Sequence, residues 1–62
     1  MCQSTAYMVK DGKEELLFEG VDTLENENGE VKMVNIFGEE KRVRARIERF
    51  SLVDHRIILV PH

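Results

Sequence analysis

Cys2, His55, His62 and the arginines at 42, 44 and 46 are the side chains in this sequence with chemistry to offer. Position matters most for Cys2. A thiolate is the metal-holding form of cysteine, and beside an amino terminus it can act together with backbone nitrogen. With Met1 retained, its amine, the Cys2 amide nitrogen and the Cys2 sulfur form two fused five-membered chelate rings. With Met1 removed, the new amine of Cys2 and its sulfur form one ring. Cysteine is small enough for an aminopeptidase to accept in second position, so both states stand open. Either donor set is planar and rich in nitrogen and sulfur, which suits nickel(II) or copper(II) better than tetrahedral zinc. One chain supplies too few ligands. A two-fold dimer with both Cys2 residues at its axis would complete four-coordination. The plainer reading of a second residue is a frayed terminus, which on residue type alone is the commoner case.

The histidines offer less. His55 falls in an Asp54-His55-Arg56 turn and His62 is the final position, and no His-x-x-x-His or Cys-x-x-Cys spacing supports a structural zinc site. Both are expected to be exposed and without partners. Arg42, Arg44 and Arg46 alternate, with Lys41 and Arg49 nearby, as a strand tracking a phosphate backbone would require, and Tyr7, Phe37 or Phe50 could stack on bases. Against RNA binding stand twelve acidic residues and a net charge of −3. Glu39, Glu40 and Glu48 are close enough in sequence to pair with the arginines, making a solvated, ion-paired strand face the stronger expectation. Catalysis has little footing, because there is no nucleophile-His-acid order, no glycine-rich phosphate loop and little volume for a substrate pocket. The chain is not expected to be an enzyme.

The elements that position these groups read as strands. Sixty-two residues make one domain, since a chain this short buries only about 60% of its unfolded surface. Domains of this size need disulfides, metal, oligomerisation or very regular packing. One cysteine excludes an internal disulfide and favours a reducing compartment. No run approaches the roughly 18 apolar residues of a membrane helix, and no apolar signal segment opens the chain, so a cytoplasmic protein without membrane contact is expected.

Alternating apolar residues broken by Asp11-Gly12, Asn28-Gly29 and Phe37-Gly38 predict five strands joined by hairpins. They run from Ser4 to Lys10, from Glu14 to Phe18 continuing through Val21 to Leu24 after a kink at Gly20, from Glu30 to Phe37, from Lys41 to Phe50, and over Ile57 to Val60. Val31, Met33 and Asn35 share one face of the third, and Val43, Ala45 and Ile47 point inward from the fourth. The last strand is apolar on both faces, so its second face should seek another chain. The predicted core is Val9, Leu17, Val31, Met33, Val43, Ile47, Leu52, Ile57 and Leu59, in an all-β, half-open five-stranded barrel.

The Met1-Cys2 start, the Asn35-Ile36-Phe37-Gly38-Glu39 segment ahead of a basic strand, and the ending Val53-Asp54-His55-Arg56-Ile57-Ile58-Leu59 together resemble the CooT family. The resemblance covers essentially the whole chain. It implies an Sm-like barrel and a homodimer with one nickel(II) held near the two-fold axis by Cys2 of both chains. Backbone nitrogen of Met1 or Cys2 would assist. It also implies a role beside carbon monoxide dehydrogenase or its accessory proteins, in nickel supply. Relatives labelled as predicted RNA-binding proteins keep the arginine strand as the alternative, although fold alone does not fix function.

Overall fold

The computed structural model describes residues 3–62. Five strands account for most of them: β1 (Ser4–Lys10), β2 (Lys13–Glu27), β3 (Glu30–Asn35), β4 (Glu40–Ser51) and β5 (Arg56–Pro61). The Asp11-Gly12 and Asn28-Gly29 turns each place two consecutive residues at positive φ. That is the backbone of the two-residue hairpin whose twist matches its strands.

Adjacent strands pair antiparallel in chain order, and β1 then pairs with β5 in parallel, Thr5 opposite Arg56 through Met8 opposite Leu59. The sheet is therefore a closed ring, not the half-open one expected. Closure comes from bends that alternation alone does not reveal. Strand β2 is continuous for 15 residues where two shorter runs were expected, but its register slips twice against β1 and again between Val21 and Thr23 against β3. Each slip sets an extra β2 residue against its partner strand, which bends β2 and increases its twist. Gly20, at φ 69°, lies in this stretch. A further slip between Ile47 and Arg49 bends β4 toward β5.

Ala6, Val21, Val31, Met33, Ala45, Ile57 and Leu59 fill the ring's interior, with Met8, Leu17, Phe18, Leu24, Val43 and Ile47 packed around them. Two members of the predicted core depart from this. Val9 is only half-buried, because period-two alternation that turns Ala6 and Met8 inward sends Val9 outward. Leu52 is 76% exposed, because β4 ends at Ser51 and Leu52 belongs to the turn beyond.

The outer face of β5 also differs from expectation. Ile58 is 4% exposed within a single chain. Its cross-strand neighbours are Tyr7 and Arg49, and the Arg56 guanidinium lies 4.6 Å from the centre of the Tyr7 ring. Long arginine stems and an aromatic ring thus cover the aliphatic surface from within, and this face does not by itself demand a second chain. Among the described residues no helix is long and apolar enough to cross a membrane.

Candidate functional site

Met1 and Cys2, the expected metal ligands, lie outside the described residues. What the structure describes is the end of the ring from which they extend. Thr5 N–H donates to the His55 carbonyl at 2.9 Å, and Ser4 pairs with Val21, which in turn pairs with Asn35. The start of β1 is therefore bordered by the β4–β5 turn on one side and by Val21 on the other. Cys2 is three residues from Thr5, a reach of at most about 10 Å. Within that turn Leu52 and Val53 are 76% and 88% exposed, and Phe50 is exposed just before it.

His55 is half-buried, not exposed as expected, with φ at 55°. The turn needs a left-handed residue there to aim the carbonyl at β1, and histidine tolerates that region better than branched side chains. His62 is exposed, and its backbone N–H donates to the Arg44 carbonyl at 3.2 Å. Among the described residues no group of three or more His, Cys, Asp or Glu side chains is placed to hold a metal ion.

The arginine strand is neutralised residue by residue. Arg42 pairs with Glu40 at 3.0 Å, Arg44 with Glu30 at 3.8 Å and Arg46 with Glu48 at 3.1 Å. Lys32 adds its charge to Glu40 at 4.0 Å. The Glu40 carboxyl is held below its usual range, first by the Arg42 hydrogen bond and then by Lys32, and the same hydrogen bond raises the Arg42 guanidinium. These groups are solvent-exposed, so the pairs add little stability, but they cancel the field that would attract phosphate. Tyr7, one of the proposed stacking rings, is already covered by Arg56.

Two clefts were not foreseen. One, of about 290 Å³, is lined by Arg49, Ser51, Asp54, Arg56 and Ile58. Glu14 bridges its two arginines, at 2.7 Å to Arg56 and 3.6 Å to Arg49, so its cations are already engaged. Arg56 Nε is buried without a hydrogen-bond partner; the guanidinium's contact with the Tyr7 ring offsets part of that cost.

The second cleft, of about 300 Å³, is lined by Leu16, Leu17, Phe18, Glu19, Asn35, Phe37 and Glu39. Asn35 organises it. Although 5% exposed, Asn35 uses both ends of its side-chain amide: Oδ1 accepts from Phe37 N–H at 3.0 Å and Glu39 N–H at 2.9 Å, and Nδ2 donates to Glu39 Oε1 at 2.7 Å. Its backbone N–H donates to the Glu39 carbonyl, and its carbonyl accepts from Gly38 N–H. This side chain ends β3 two residues earlier than expected, by offering the chain a local turn in place of further strand pairing. Gly38, at φ 82°, completes the turn. The alternation of Val31, Met33 and Asn35 placed Asn35 on the inner face correctly, and the Asn-x-x-Gly spacing was the signal for the turn.

The profile of the family described as CO dehydrogenase accessory protein CooT matches residues 1–60. A solved crystal structure assigned as CooT from Carboxydothermus hydrogenoformans superposes with a TM-score of 0.90 at 43% sequence identity, covering 98% of each chain. A search of curated proteins found no match.

Proposed function

This chain belongs to the CooT family of carbon monoxide dehydrogenase accessory proteins, and from that premise we propose that it is a cytoplasmic nickel(II) carrier for that enzyme, built on an Sm-like fold. The ion is shared by a homodimer through Cys2 of both chains. The family match carries this reading, because it begins at residue 1 and so includes the Met1-Cys2 start. The Cys2 thiolate supplies the soft donor, and backbone nitrogen of Met1 or Cys2 supplies the strong-field donor that favours a planar ion. The deprotonated thiolate is required, so acid should release the metal.

The described residues support a shared site in one respect. The most exposed apolar side chains of the β4–β5 turn, Leu52 and Val53, stand beside the strand that leads to Cys2. A two-fold partner covering this turn would bury them and bring both β1 starts within reach of one ion. The ion-paired arginine strand leaves RNA binding as the second reading.

Titration with nickel(II), wild type beside Cys2→Ala, tests the proposal. Sulfur-to-nickel charge-transfer absorption that saturates near one ion per two chains, and is absent from the variant, is the expected result. Equal binding by Cys2→Ala would overturn it, and RNA binding lost in Arg44→Glu would then take precedence.

A further inference from the structure

From the geometry of the β3–β4 turn we infer a second, separate binding surface: a docking groove for a partner protein that presents an apolar side chain flanked by lysine or arginine. The turn's own construction explains Asn35, Gly38 and Glu39, which make its hydrogen bonds and its left-handed backbone. It does not explain Phe37, whose ring is 78% exposed. A polar residue there would serve the backbone equally well. Leu16, which lines the same cleft, is 57% exposed, and Ile36 is also exposed. The three side-chain hydrogen bonds fix the backbone that carries this exposed aromatic, Phe37, so less backbone freedom is lost on binding through it.

Charge identifies the occupant. Glu19 and Glu39 line the cleft, and neither is ion-paired with a lysine or arginine among the described residues. Arg42, Arg44, Arg46, Arg49 and Arg56, by contrast, each have a carboxylate partner. A groove of mixed apolar and acidic lining, whose Glu19 and Glu39 have no lysine or arginine partner among the described residues, complements an apolar side chain with a cationic rim. A second copy docked on the same groove about a two-fold axis would bring Glu19 and Glu39 against their own equivalents, a like-charge arrangement that costs affinity. The groove does not depend on the nickel reading, since it uses none of the same residues.

The test is a titration of nitrogen-15-labelled full-length protein with the peptide acetyl-Lys-Leu-Phe-Lys-Arg-amide, followed by amide chemical shifts, with acetyl-Glu-Leu-Phe-Glu-Glu-amide as control. The basic peptide is expected to shift residues 16–19 and 35–39, and Phe37→Ser to weaken it about tenfold. Glu19→Lys should weaken it at low salt and much less at high salt. An unchanged spectrum away from residue 37 verifies that Phe37→Ser is folded. No shifts at millimolar basic peptide, equal binding of the acidic peptide, or shifts mapping elsewhere would overturn the inference. So would loss of a homodimer in Phe37→Ser, which would make a second copy the occupant.

Discussion

The β3–β4 and β4–β5 turns both expose apolar side chains, Phe37 in one and Leu52 and Val53 in the other, but they are held differently. Asn35 stitches the first from a buried position through three side-chain hydrogen bonds. Among the described residues the second has one, from Asp54 N–H to Ser51 Oγ at 3.2 Å, and it is tied to β1 by the His55 carbonyl. The first is thus a fixed display, and the second is a covering beside the chain's amino-terminal strand. The contrast assigns different work to two patches that composition alone would treat as equivalent. Glu19 and Glu39, without ion-pair partners among the described residues, border the first, and proximity to the start of β1 distinguishes the second.

The largest effect should come from the hub of the stitched turn. Asn35→Ala removes two accepted hydrogen bonds and one donated one at a buried position, and is expected to cost about 2–3 kcal/mol. In a domain this small that lowers Tm by roughly 10 °C or more, readable by circular dichroism. A loss under about 0.5 kcal/mol would mean the turn is not organised by Asn35. Gly38→Ala should come next, at about 1 kcal/mol, since the added Cβ meets no atom within 4 Å and only the φ of 82° opposes it. Denaturant unfolding checks this value.

On the other turn, Ser51→Ala removes a single long, exposed hydrogen bond and should cost no more than about 0.5 kcal/mol in the same unfolding assay. If it matched Asn35→Ala, the contrast between the turns would fail. The smallest effect belongs to the arginine strand. Because the folded-state pKa of Glu40 is shifted downward, its pairing contributes stability above its unfolded pKa, and that contribution disappears as pH falls through the folded value. Glu40→Gln should therefore slightly flatten the acid side of the stability–pH curve while leaving stability below both pKa values nearly unchanged.

Much of this architecture was legible in residue spacing. Asp11-Gly12 and Asn28-Gly29 fixed two hairpins, and the alternation of Val31, Met33 and Asn35 fixed the face of β3. Four of the predicted core residues, Val31, Met33, Ile57 and Leu59, are buried, and Leu17, Val43 and Ile47 pack against them. Ring closure was not legible, because it depends on register slips near Gly20 and Glu48 that insert single residues without disturbing the local pattern. Nor was the burial of Ile58, which rests on Tyr7, Arg49 and Arg56 meeting from three strands. Leu52 was misplaced because hydrophobicity does not distinguish the end of a strand from the turn after it. The candidate metal ligands were visible only as Met1 and Cys2, with the family resemblance to give them meaning.

Native mass spectrometry of the protein incubated with nickel(II), wild type beside Cys2→Ala, tests the proposed shared site most directly, since it weighs chains and metal in one particle. The expected result is a dimer carrying one nickel ion for the wild type and a metal-free dimer for the variant. A nickel-bearing monomer, or a dimer with one ion on each chain, would contradict it.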